Sequence, residues 1–166
     1  MVLKGLHVAR VSPSAGSGPM THPHTVRLEF GSAYDMLDFV QVVSDQMCRA
    51  AGLDEDQLHW VSVAVRESVV NAIKHGNKSD PAKRVLVEFS HPATDAPDEL
   101  VIYIEDQGEG FEPEEVADPL APENILKSSG RGIFLIRNFM DDVRLQKVAG
   151  GGMSIRMVKK SPRAQA

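Results

Sequence analysis

The sequence predicts an α/β (α+β) fold, a two-layer sandwich in which helices lie on one face of a mixed, mostly antiparallel sheet. Three observations predict it. A strand-like run opens the patterned part of the chain and is followed by two helical segments. Two further strand-like runs, Arg84 to Ser90 and Leu100 to Glu105, are separated only by a polar, proline-containing loop. The chain then closes on two runs around Gly150-Gly151-Gly152, which read as a hairpin.

Taken in order, residues 1–24 contain Ser-Pro-Ser-Ala-Gly-Ser-Gly-Pro and no sustained period, so a disordered N-terminal tail is expected there. Met20, just before the first patterned run, is an alternative native start. From Thr25 to Phe30 the apolar residues Val26, Leu28 and Phe30 alternate with polar ones, the period of a half-buried strand. Ser32 can cap the next segment, in which Met36, Val40, Val43 and Met47 recur at helical spacing up to Gly52. Cys48, beside that stripe, reads as a buried structural thiol.

Asp54 and Gln57 form a capping box for a proline-free helix that is expected to run from Glu55 to about His75, ending at Gly76. Leu58, Val61, Val65, Val69 and Ile73 make its apolar side, with Trp60 read as packing. Glu67, Asn71 and His75 also recur every four residues and so share a face. In the run from Leu100 both alternating faces are apolar, which predicts a central strand covered on most of both sides. Gln107 to Ser129 carries Pro113, Pro119 and Pro122 and little periodicity, so Phe111 to Ser129 is expected to form a mobile lid. Ile133 to Met140 has a helical pattern, and residues 161–166 are expected to fray. The folded domain is thus expected over residues 25–160.

Composition narrows the function. The 166 residues carry 18 Lys and Arg against 23 Asp and Glu, a formal charge of −5, which argues against nucleic acid as a direct partner. One cysteine cannot form an internal disulfide or a multi-cysteine zinc site, and fits a reducing compartment. No apolar run approaches the roughly 20 residues that span a bilayer, so the expectation is a cytoplasmic protein with no membrane partner. A Gly-x-x-x-x-Gly-Lys loop is absent, which excludes the P-loop class.

Three polar features remain: Glu67 with Asn71 on a helix, Asp106-Gln107-Gly108-Glu109-Gly110 after an apolar strand, and Gly130-Arg131-Gly132 at a helix start. Each has a plainer reading alone. The first is also a solvated helix face, the second a turn using glycine, and the third a generic anion-binding helix opening. His75 lacks the companions a metal site needs and reads as supporting structure, while His22-Pro23-His24 reads as exposed tail.

Together and in this order the three features resemble the Bergerat-type ATP-binding fold of the GHKL superfamily of ATPases and kinases. Glu67-Ser-Val-Val-Asn71-Ala-Ile-Lys-His75-Gly76, Asp106-Gln-Gly108-Glu-Gly110-Phe111 and Gly130-Arg-Gly132-Ile-Phe-Leu-Ile136, followed by Phe139-Met140-Asp141-Asp142-Val143, are similar to the anti-sigma factor serine/threonine kinase branch. The resemblance spans about Thr25 to Lys159. It implies ATP and Mg²⁺ as cofactors, with Glu67 as general base and Asn71 as the ligand of the metal ion. It implies that Asp106 accepts a hydrogen bond from the adenine amine and that Gly108 and Gly110 let the backbone approach the nucleotide. Gly130 and Gly132 are then expected to offer N–H groups to the phosphates, with Arg131 or Lys127 as charge partners.

On this resemblance the expected activity is phosphoryl transfer from MgATP to a serine or threonine of an anti-sigma factor antagonist protein, coupled to sequestering a sigma factor. Related kinases form homodimers, although the residues leave the oligomeric state open. Two other readings stay open: a non-catalytic ATP-dependent binding switch, and a stand-alone histidine-kinase-like catalytic domain. One departure stands out. Met153 follows Gly152 where the family carries a threonine expected near the phosphates, which puts contacts from that hairpin in doubt.

Overall fold

The computed structural model describes residues 23–110 and 128–162. Its sheet contains β1 (His24–Gly31), β2 (Arg84–His91), β3 (Glu99–Asp106), β4 (Asp142–Lys147) and β5 (Met153–Lys160). The spatial order is β1-β2-β3-β5-β4, and all four ladders are antiparallel. Helices α1 (Leu37–Ala50), α2 (Glu55–Asn71) and α3 (Ser128–Phe139) complete the second layer.

The alternation read from the sequence sets which face is covered. Leu28 and Phe30 of β1, Val85, Val87 and Phe89 of β2, and Leu100, Ile102 and Ile104 of β3 are all buried. They face Val40 and Met47 of α1 and Val61, Val65 and Val69 of α2 in one core. Burying each large apolar side chain contributes about 1.5–3 kcal/mol, which anchors both layers. Cys48 lies in this core, fully buried, and burial pushes its thiol up to about 12. It is therefore a poor nucleophile at neutral pH.

β3 is the central strand, as its composition suggests, but only one of its faces is fully covered. Val101 and Tyr103 are half-buried because the described helices all lie on the other side. The open face instead carries cross-strand ion pairs such as Arg84 with Glu29 at 2.8 Å, which contribute little each at such exposure.

Three boundaries differ from expectation. Ser32 does not cap α1: its hydroxyl donates to the Lys83 carbonyl at 3.0 Å, and a 3₁₀ turn, Tyr34–Met36, precedes the helix. The reason is that Ser32 is buried against the approach to β2, where its hydroxyl is engaged by the Lys83 carbonyl and by Asn77 Nδ2. The helix from Glu55 ends as α-helix at Asn71 and continues as a π-helical turn, Ala72–Gly76. Ser161, expected in the frayed tail, is fully buried and donates its N–H to the Asp98 carbonyl at 2.8 Å. The segments expected as N-terminal tail and lid fall mostly on residues 1–22 and 111–127, outside the described residues.

Candidate functional site

α2 is fixed first, because it carries two of the expected site residues. The Gln57 N–H donates to Asp54 Oδ1 at 2.8 Å and the Asp54 N–H to Gln57 Oε1 at 3.4 Å, the capping box expected from sequence. Leu58, Val61, Ala64, Val65 and Val69 then bury one side of the helix. Glu67 and Asn71, one turn apart, are left half-buried on the side that meets α3.

Glu67 lies against the first turns of α3. A methyl group at Gly132 would sit 2.9 Å from Glu67 Cδ and still closer to Oε1. Glycine matters here through close approach, not backbone angle: a Cβ at this position would push the Glu67 carboxylate from where it lies. The helix begins at Ser128, so Gly130, Arg131 and Gly132 form its opening turn rather than preceding it. The first four N–H groups of a helix, here those of residues 128–131, have no intrahelical partner and are the physical basis of an anion site. Gly132, the fifth residue, lies beyond them, so the N–H expected of it closes the first helical turn instead. Lys127 lies outside the described residues, and the Arg131 side chain is likewise outside them.

The π-helical turn changes the expected polar row. By inserting an extra residue per turn it takes His75 off the line of Glu67 and Asn71, and His75 is exposed. It also carries Gly76 to the end of β3. A methyl at Gly76 would lie 2.8 Å from Asp106 Oδ1, and one at Gly108 would lie 2.7 Å from the Gly76 carbonyl carbon. The π-helical turn after α2 and the post-β3 loop therefore touch backbone to backbone.

Asp106 is buried at the end of β3. Its Oδ1 accepts the N–H of Gly108 at 2.8 Å and the N–H of Met153 at 3.2 Å. Both hydrogen bonds from the described residues fall on that one oxygen, while Oδ2 packs against Gly76. Burial raises the carboxyl above the usual aspartate range, more than these two N–H groups lower it. Met153, which stands where the family carries a threonine, thus supports Asp106 through its backbone N–H. Gly110 adopts φ 73° beside Gly152.

Asn77, one residue past the expected helix end at Gly76, belongs to none of the three features singled out in the sequence. Asn77 is fully buried. Its Nδ2 donates to Ser32 Oγ at 2.8 Å and to the Arg84 carbonyl at 2.9 Å, and its Oδ1 accepts the Gln107 N–H at 2.8 Å. Gln107 answers by accepting the Arg84 N–H at 2.8 Å. An asparagine just after a helix is ordinary in a sequence, and nothing local marks one bonded to Ser32, 45 residues before it, and to Gln107, 30 residues after it.

On the expectation that Asp106 accepts the adenine amine of ATP, two predictions arise here. Gly76→Ala should lower ATP affinity by at least tenfold, because its methyl group displaces the Asp106 carboxylate; isothermal titration calorimetry reads this. Acid should also weaken binding. An aspartate raised by burial protonates at a higher pH than an exposed one, so the acceptor is lost earlier as pH falls. Calorimetry across pH should show ATP affinity declining above the ordinary aspartate range, and this decline should be absent in Asp106→Asn. For stability the sign is opposite: the raised group contributes below its unfolded value and that contribution is lost as pH rises through the folded one.

Among the described residues no group of three or more His, Cys, Asp and Glu is placed to hold a metal ion by itself. A hard cation brought in on a polyphosphate needs only one or two protein oxygens, and the Asn71 amide carbonyl is suited to that.

The comparisons agree with this geometry. The model of the histidine kinase-like ATPase domain matches residues 33–159. The chain is 34% identical over 139 residues to an anti-sigma F factor of Clostridium perfringens, covering 81% of this chain and 95% of the relative. It is 30% identical over 142 residues to the serine-protein kinase RsbW of Staphylococcus epidermidis, covering 81% and 87%. An anti-sigma F factor of Oceanobacillus iheyensis is 31% identical over 137 residues, covering 80% and 90%. With the match running through α1, α2, the Asp106 loop, α3 and the terminal hairpin, this chain belongs to the histidine kinase-like ATPase domain family.

Proposed function

We propose that this protein is a MgATP-dependent serine/threonine kinase of the anti-sigma factor type, working in the cytoplasm. It transfers the γ-phosphate of ATP to a hydroxyl of an antagonist protein and, when not so engaged, sequesters a sigma factor. The observation that carries this reading is the contact of α2 and its π-helical extension with both other parts of the site: Glu67 against Gly132, and Gly76 against Asp106 and Gly108. One helix thereby sets the distance between a base-recognition carboxylate and a general base. The names of the relatives, a serine-protein kinase and anti-sigma F factors, support the acceptor and the partner.

In this reading Asp106 Oδ2 accepts the adenine exocyclic amine, and the glycine contacts around it admit a flat base. Guanine presents a carbonyl at that position, so two acceptors would face each other and GTP is disfavoured. The opening N–H groups of α3 receive phosphate oxygens. Asn71 offers its carbonyl oxygen to the metal ion, whose charge, when bound, neutralises the transferring phosphoryl group. Glu67 takes the proton of the attacking hydroxyl, its carboxylate positioned by the bare Gly132 backbone. Added negative charge on the phosphorylated antagonist weakens its docking and releases the kinase for the sigma factor.

Calorimetry tests the nucleotide half of the proposal. ATP should bind with a dissociation constant of about 1 μM or tighter, roughly −8 kcal/mol, only with Mg²⁺, and in preference to GTP. Equal affinity for ATP and GTP would contradict the role given to Asp106. Affinity capture from native cytosol with and without MgATP should retain an antagonist domain in a nucleotide-dependent way.

A further inference from the structure

We propose that Asn77 is a positioning residue for nucleobase recognition, acting through the Gln107 backbone to set where the Asp106 carboxylate points. The inference rests on the reading of Asp106 as the adenine acceptor and adds to it a residue outside the family-like motifs. Asn77 is fully buried and uses every group of its amide. One end holds Ser32 and the Arg84 carbonyl, the entry of β2; the other holds the N–H of the residue directly after Asp106. Gln107 closes the ring by accepting the Arg84 N–H.

The strand register explains why this matters. β3 pairs with β2 up to Val85 opposite Asp106, and the ladder ends there. Beyond it the chain turns out of the sheet, and its next N–H, that of Gln107, is held by a side chain instead of a strand. The following N–H, that of Gly108, bonds back to Asp106 Oδ1. If Asn77 releases Gln107, the turn that delivers the Gly108 N–H loses its fixed point and the carboxylate its orientation. Asn77 immediately follows Gly76, whose Cα abuts that same carboxylate. The turn after α2 therefore grips the base-recognition loop twice, once by close packing and once by the amide.

Lys78 and Ser79 adopt positive φ, 55° and 57°, with the Ser79 N–H on the Ile73 carbonyl at 2.7 Å. This left-handed pair turns the chain sharply from α2 toward β2 and keeps Asn77 directed inward.

The test separates base from phosphate. Adenosine and Mg²⁺ tripolyphosphate are titrated by calorimetry into wild type, Asn77→Ala and Asn77→Asp, with thermal unfolding measured for each. Asn77→Ala orphans the Gln107 N–H and should weaken adenosine at least tenfold while tripolyphosphate stays within about twofold. Asn77→Asp keeps an acceptor for the Gln107 N–H but loses the amide donor to the Arg84 carbonyl. It should therefore lower the melting temperature yet cost adenosine less affinity than Asn77→Ala does; a loss as large as that of Asn77→Ala overturns the proposal. If Asn77→Ala does not fold, Asn77→Ser takes its place with the same expectations. Unchanged adenosine affinity in the alanine or serine variant overturns the proposal. So does an equal loss for both probes, which marks a general loss of structure. Wild-type protein that binds tripolyphosphate but not adenosine overturns the adenine reading of Asp106 and this inference with it.

Discussion

Glu67→Gln is expected to leave ATP affinity within a few-fold of wild type while phosphoryl transfer falls by about 10²–10⁴. The amide keeps the size and much of the hydrogen bonding of the carboxylate but cannot accept the proton of the attacking hydroxyl. Its packing against Gly132 is preserved, since the two side chains have nearly the same shape. Transfer to the acceptor protein, measured at saturating ATP, reads the rate, and calorimetry reads the affinity. A solvated helix face predicts instead near-wild-type transfer and a stability change within about 0.5 kcal/mol.

Asn71→Ala has a different signature, although the residue sits one turn away on the same helix. Removing its carbonyl takes away the protein oxygen offered to the metal ion. Both ATP affinity and transfer should drop, the latter by roughly 10²-fold, because several kcal/mol of charge stabilisation depends on a well-placed cation. Raising Mg²⁺ should restore part of the ATP affinity in Asn71→Ala and none of the transfer in Glu67→Gln. Magnesium titrations of both variants check this contrast.

Much of the site was legible because its parts obey local rules. The Asp54/Gln57 box and the four-residue spacing from Glu67 to Asn71 place two side chains on one helix, and the apolar run from Leu100 to Ile104 places Asp106 at its end. The motif resemblance then joins them. Less legible was whatever depends on tertiary contact. The Gly76–Asp106 approach, the Gly132–Glu67 approach and the bonds of Asn77 to Ser32 and Gln107 each join residues distant in sequence. Periodicity is silent about them.

The π-helical turn shows the limit of extrapolating a period. From Glu67 to Asn71 the four-residue step holds, but Asn77 donates its N–H to the Ala72 carbonyl at 2.8 Å, the wider closure of a π turn. Thus His75 leaves the face on which its spacing puts it, and Gly76 arrives beneath Asp106. Ser32 fails as a cap for a related reason: a buried hydroxyl satisfied by the Lys83 carbonyl and by Asn77 serves the sheet edge, not the helix. In both cases a local preference gives way to a buried polar partner.

The account stands most directly on one measurement: incubation of the protein with its antagonist and ATP labelled at the γ-phosphate, followed by acid treatment and phosphoamino-acid analysis. The account predicts label on the antagonist as an acid-stable phosphoserine or phosphothreonine, formed only with Mg²⁺ and lost in Glu67→Gln. Acid-labile label on a histidine, or ATP-dependent binding of the antagonist with no transfer of label, would contradict it.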